Sequence, residues 1–123
     1  MKYVLLFVGT MEDQERFDSM PSEEMAAGMK AAERWFEEYS RAGKIVGGEQ
    51  LKGPQTVTTV RSKDGSRIVT DGPFIESKEV IGGYAEIEVA DLDEALAMAK
   101  EWPGTVEIRP VVDHSQDQER ARS

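Results

Sequence analysis

The sequence predicts one α+β domain, a sheet with two helices on one of its faces. Three observations predict it. Two stretches with apolar residues three and four positions apart, Met25 to Tyr39 and Leu92 to Ala99, lie between segments that alternate or are wholly apolar. The opening run from Tyr3 to Val8 is apolar on both period-2 faces, as in a central strand covered on both sides. The third of the chain from Gly43 to Gly83 holds eight of the eleven glycines, the texture of short strands and tight turns. At 123 residues the chain fits one compact domain better than two. A chain of that length removes roughly two-thirds of its unfolded surface from water, so it needs no metal or disulfide to fold.

Each element follows in order. Met1 to Val8 is a strand with Tyr3, Leu5 and Phe7 on one side and Val4, Leu6 and Val8 on the other. Gly9 to Pro21 is polar and lacks a period, consistent with a loop. Ser22 is placed to cap a helix whose first turn carries Glu23 and Glu24 at the positive end of the dipole. Met25, Met29, Ala32, Phe36 and Tyr39 form its apolar stripe, and Gly43 ends it in a left-handed cap. Short strands follow at Ile45 to Leu51, Thr56 to Arg61 and Arg67 to Thr70, the last two joined by an Asp64-Gly65 hairpin turn. Asp71-Gly72-Pro73-Phe74 reads as a turn, and Gly82-Gly83 as a bulge or strand entry. Tyr84 to Val89 alternates, Ala85, Ile87 and Val89 against Tyr84, Glu86 and Glu88. Asp91 and Glu94 form an acidic variant of the capping box ahead of a second helix that stops near Trp102 and Pro103. Thr105 to Val111 closes the domain, with Val106 and Ile108 opposite Glu107 and Arg109.

Two right-handed crossovers that put both helices on one sheet face give a ferredoxin-like βαββαβ sandwich with an extra hairpin. That arrangement leaves the other face bare, which conflicts with a first strand that is apolar on both sides. The expected resolution is a homodimer packed sheet to sheet, a dimeric α+β barrel, with Glu86, Glu88, Glu107 and Arg109 lining or rimming the space between the sheets. Residues 1–112 are expected to form the domain. Residues 113–123, with Ala121 as the one apolar residue after Val112, are expected to form a flexible tail.

Composition excludes several functions. A formal charge of -9 repels phosphate backbones, so no nucleic-acid partner is expected. The opening apolar run is far short of the ~20 residues that a membrane span needs, so no membrane partner is expected either. With no cysteine there is no disulfide framework, and a cytoplasmic setting is expected. The sequence has no phosphate loop, dinucleotide fingerprint or EF-hand spacing, and neither a metal nor any other cofactor is expected.

The stretch Thr70-Asp71-Gly72-Pro73-Phe74-Ile75-Glu76-Ser77-Lys78-Glu79-Val80-Ile81-Gly82-Gly83-Tyr84 resembles the signature of the YCII-related family, in the subgroup called DGPF proteins. The opening Met1-Lys2-Tyr3-Val4-Leu5-Leu6, Val46-Gly47-Gly48-Glu49, Asp91-Leu92-Asp93-Glu94-Ala95 and Val106-Glu107-Ile108-Arg109-Pro110-Val111 add to the likeness, which spans most of residues 1–112. The resemblance implies a ferredoxin-like fold assembled as a dimeric α+β barrel, and it implies little about activity. Some relatives resemble muconolactone-processing enzymes, with a His and an Asp proposed as an acid/base pair in the barrel cleft. This chain departs from that pattern. Its only histidine is His114, in the tail, and the Gly9 to Pro21 loop has none.

Turn chemistry by itself accounts for Asp71-Gly72-Pro73-Phe74. The functional reading has the turn present Asp71, Glu76, Lys78 and Glu79 at a cleft mouth, Lys78 binding an anion while a partly desolvated carboxylate accepts a proton. Glu49, Glu86, Glu88, Glu107 and Arg109 are either a polar cavity lining or a solvated face with salt bridges. Ligand-binding candidates are therefore Glu49, Glu76, Lys78, Glu79 and Arg109, and the candidate catalytic base is Asp71. Three functions are compatible with these residues. The leading expectation is a small-molecule binding or accessory protein whose dimer cavity holds a metabolite, an anionic one included. The alternatives are a lactone isomerase or dehalogenase-like enzyme with Asp71 as base, and a regulatory partner of sigma-factor-type regulators, to which resembling proteins are linked.

Overall fold

The computed structural model describes residues 1–10, 19–72 and 79–115. In chain order the elements are β1 (Lys2–Thr10), α1 (Ser22–Arg41), β2 (Ile45–Gln50), a short 3-10 turn (Pro54–Thr56), β3 (Thr58–Lys63), β4 (Ser66–Asp71), β5 (Glu79–Glu88), α2 (Leu92–Lys100) and β6 (Thr105–Pro110). β2, β5, β1 and β6 form one sheet in that order, with each neighbouring pair antiparallel. β3 and β4 pair separately as a hairpin. The main sheet and its two helices have the ferredoxin-like α+β arrangement, with the hairpin as the expected addition.

Local chemistry sets the element ends. α1 closes on a Schellman motif: Gly43, at φ 75°, donates its N–H to the Ser40 carbonyl at 3.0 Å, and Lys44 donates to that of Tyr39 at 2.9 Å. Its start differs from the expectation. Pro21 is the capping residue and no side chain caps the first turn, because the pyrrolidine ring of Pro21 carries no acceptor for the first helical N–H groups. α2 has the expected cap. Asp91 Oδ1 accepts the Glu94 N–H at 2.9 Å, and Glu94 reaches back to the Ala90 N–H at 3.0 Å, one residue before the cap. Asp64 and Gly65, with φ of 51° and 80°, turn the hairpin as a two-residue loop.

One layer of side chains holds helices to sheet. Tyr3, Leu5 and Phe7 of β1, Ala85 and Ile87 of β5, and Val89 just after it are buried against Trp35 of α1 and Ala95 and Met98 of α2. Phe7, Trp35, Phe36, Tyr39 and Trp102 form a nest of rings, with Phe7 and Trp102 centroids 4.3 Å apart and Phe7 edge-on to Trp35 at 5.7 Å. Trp35 Nε1–H donates to the Met98 carbonyl at 2.9 Å, tying α1 to the last turn of α2. Tyr39 donates its hydroxyl to Glu101. Burial, and then this bond to a carboxylate, push the Tyr39 pKa up to about 12. The helix stripe is narrower than its sequence suggests. Trp35, Phe36 and Tyr39 carry the contact, whereas Met29, expected in the core, is 51% exposed. A 20-residue helix is about 30 Å long and the six-residue β2 it packs against is about 20 Å, so the first turns overrun that strand.

Among the described residues no helix is long and apolar enough to cross a membrane.

Candidate functional site

Among the described residues no helix packs on the sheet face opposite α1 and α2, and strand register determines what lies on that face. Val4, Leu6 and Val8 run down its middle, each half-buried in the single chain. Val4 pairs with Glu86 on one side and Arg109 on the other, and Glu86 pairs in turn with Gly47, giving the cross-strand row Gly47–Glu86–Val4–Arg109. The next row is Glu49–Tyr84–Leu6–Glu107. Lys2 opposite Glu88 lies at one end, where Glu88 also meets the amino-terminal ammonium at 3.4 Å. Strands sit ~4.8 Å apart, so Arg109 and Glu86, two strands apart, flank Val4 at a separation of about 10 Å.

Two bulges keep this register. β2 carries one between Ile45 and Gly47, and β1 against β5 carries one between Phe7 and Val8, where Gly82 is the extra residue. The bulge reading of Gly82-Gly83 is borne out. Gly48 has φ 137°, and a Cβ there would lie 2.4 Å from the Tyr84 carbonyl oxygen. Only glycine fits that backbone. Gly47 leaves room for Glu86, whose Oε2 would be 3.1 Å from a Cβ at that position. The carboxylate therefore leans across β2.

The structure thus brings Glu86, Glu88, Glu107 and Arg109 to one face, as the period-2 pattern anticipated, and the bulge after Ile45 brings Glu49 to the same face, where unbroken alternation from Ile45 would not have put it. It does not bring Asp71 to them. Asp71 is exposed at the end of β4, paired with Thr58 in the hairpin ladder, and the turn begins after it at Gly72, whose φ is 110°. Glu79 begins β5 opposite Thr10. Glu76, Lys78, Pro73 and Phe74 lie outside the described residues, as do most of the Gly9 to Pro21 loop and residues 116–123 of the expected tail. His114 is exposed.

Two features went unread in the sequence. Tyr84 is half-buried at the centre of the open face, between Glu49 and Leu6, and its membership of the same alternating set as Glu86 was the available signal. A groove of about 640 Å³ opens where β2 ends and β5 begins, lined by Leu51, Lys52, Gln55, Ile81 and Gly82 among others. Pro54 and the paired glycines mark it only as irregular chain. Away from the face, Lys44 Nζ pairs with Glu94 Oε1 at 2.6 Å. That contact, with the Ala90 N–H, holds the Glu94 carboxyl below the usual carboxylate range. Hydrogen bonds from the Ser115 side chain and backbone lower Asp113 similarly. Among the described residues no three His, Cys, Asp or Glu side chains converge as metal ligands.

A sequence profile of the YCII-related domain matches residues 1–115, nearly the whole chain. The chain belongs to the YCII-related family. An uncharacterized protein of Rhizobium meliloti (strain 1021) is similar to it, with 38% identity over 79 residues, which cover 59% of this chain and 64% of that relative. The chain thus spans just under two-thirds of the relative's length. Family membership assigns no reaction to this YCII-related chain.

Proposed function

We propose that this YCII-related protein is a cytoplasmic small-molecule binding or accessory protein that works as a homodimer, with two open sheet faces packed together around a ligand chamber. The observation that carries the reading is the apolar row Val4, Leu6 and Val8 on a face that, among the described residues, no helix covers, bordered by polar groups. Apolar side chains at the middle of a sheet face are costly in water, and a second copy of the same face is the simplest cover. Sheets pack about 10 Å apart, and in a symmetric pair the longer side chains of Tyr84, Glu86, Glu107 and Arg109 meet within that gap. The ligand class follows from the charges. Arg109 takes one anionic group, while Glu49, Glu86 and Glu107 accept hydrogen bonds from donors, so a small hydroxy acid or amino acid fits better than a purely anionic metabolite. The enzyme alternative requires Asp71 to be desolvated by parts of the assembly beyond the single chain, and no described contact favours it.

Thermal denaturation with a panel of small hydroxy acids, amino acids and lactones tests this reading. A ligand present at one hundred times its Kd adds about 2.7 kcal/mol to the apparent stability. Arg109→Ala should abolish the rise in Tm produced by any carboxylate ligand. If no member of the panel shifts Tm, or if a shift persists unchanged in Arg109→Ala, the chamber reading is wrong. Turnover of a lactone that Asp71→Asn abolishes would favour the enzyme instead.

A further inference from the structure

Among the described residues the β3–β4 hairpin is an element that contributes nothing to the buried core. Of its twelve strand residues only Thr59 is half-buried, and among the described residues no element of the body packs extensively on either strand. A lone two-stranded hairpin is marginally stable at best in water. This one is nevertheless built to pack. Val60 and Val69 form a cross-strand pair on one face, 53% and 64% exposed, and Ile68 is exposed on the other. The hairpin also carries Arg61, Lys63 and Arg67 against Asp64 and Asp71, so it is net basic within a chain of net charge -9.

We propose that this hairpin is an arm that docks, through Val60 and Val69, on the acidic body of a second copy of the chain. The proposal rests on the homodimer reading above and adds a second contact, outside the sheet faces. Three observations select that occupant. The body left after the basic hairpin is set aside carries all of the net negative charge, so another copy is a complementary surface. The arm grows from the edge of the proposed interface: the β2–β5 ladder runs on through the Leu51 N–H bond to the Gly82 carbonyl at 2.9 Å, and Leu51 and Ile81 beside it are 44% and 49% exposed. The reach also suffices. Six-residue strands extend about 20 Å, twice the ~10 Å between packed sheets, so the arm passes the partner's sheet to its flank. Its base is closed by bonds between its own two strands, the Gly72 N–H on the Val57 carbonyl at 2.7 Å and the Thr59 hydroxyl on that of Gly72 at 2.6 Å, so the arm keeps its shape as a unit.

The test combines amide hydrogen exchange of the full chain over a range of protein concentrations with sedimentation equilibrium of the Val60→Thr/Val69→Thr double variant. Threonine keeps the shape and strand preference of valine, so the hairpin itself should persist. The expected results are hairpin amides that gain protection as the wild-type chain dimerises, and a dimer Kd raised at least tenfold in the variant. If wild type dimerises while hairpin exchange ignores concentration and the variant's Kd is unchanged, the arm is refuted and the sheet-face dimer stands. If wild type stays monomeric throughout, the dimer reading fails first, and the arm with it. Protection that appears only when duplex DNA is added overturns the proposal in favour of a nucleic-acid occupant. If the variant does not fold, the wild-type exchange data decide alone.

Discussion

Alanine replacing glycine at two positions should move stability in opposite directions, because one glycine is required by its surroundings and the other is not. At Gly48 the added Cβ would lie 2.4 Å from the Tyr84 carbonyl oxygen and 2.8 Å from the Ala85 Cα, both backbone atoms that cannot swing aside. The backbone there has φ 137°, a region that side chains other than glycine's rarely enter. That conformation costs of order 1–3 kcal/mol by itself. Displacing β2 from β5 weakens the ladder from Gly47 to Gln50 as well, which brings the expected loss to about 3–4 kcal/mol. Gly28 lies on the exposed part of α1 with nothing within 4 Å of where a Cβ would sit, so alanine there should stabilise by about 0.5–1 kcal/mol through helix propensity. For a domain of this size 1 kcal/mol corresponds to about 4 °C in Tm. Thermal unfolding followed by circular dichroism should therefore show Gly48→Ala lower by about 12 °C or more and Gly28→Ala higher by about 2–4 °C. Shifts of the same sign and similar size would refute the close approach of β2 to β5 at Gly48, and with it the placement of Glu49 beside Tyr84.

The remaining predictions concern the core and pH. Trp35→Phe removes the indole donor to the Met98 carbonyl and part of the ring nest, and should cost about 2–3 kcal/mol in denaturant unfolding; a loss under 0.5 kcal/mol would mean the tie between α1 and α2 is incidental. Glu94 has its carboxyl lowered in the folded state by Lys44 and the Ala90 N–H, so its contribution is present above the unfolded carboxylate pKa and is lost as pH falls through the lower folded value. Wild type should exceed Glu94→Gln in Tm at pH 7, and the gap should close under acid. A gap that widens below pH 4 would contradict the assignment.

How much was legible in the sequence depends on how local the determining chemistry is. Gly43, Asp64-Gly65 and Asp91 with Glu94 each specify their structures within four residues, and each was readable. The two faces of β1 were readable too, since alternation is a property of the strand itself. Pro21 in place of Ser22 as the capping residue, and Met29 outside the core, depend on where α1 meets the sheet, which no local pattern encodes. β5 begins five residues earlier than its alternation does, because Glu79 to Gly83 pairs with β1 across a bulge at Gly82 that interrupts the period. The candidate site divided the same way. Glu86, Glu88, Glu107 and Arg109 share a face by periodicity, whereas Glu49 reaches it only through the bulge after Ile45, and the place of Tyr84 at its centre required the long-range pairing of β5 between β1 and β2. The exposed position of Asp71 likewise follows from its pairing within the hairpin rather than from the turn signal around it.

Whether the apolar row of β1 is covered can be measured by sedimentation equilibrium of wild type beside Leu6→Lys, which buries a charge in the middle of the proposed contact. At micromolar concentration wild type should sediment at twice the 13.7 kDa chain mass, and Leu6→Lys, with an unchanged circular dichroism spectrum, at the single-chain mass. A wild-type chain that sediments at 13.7 kDa, or a Leu6→Lys variant that stays paired, would contradict the account.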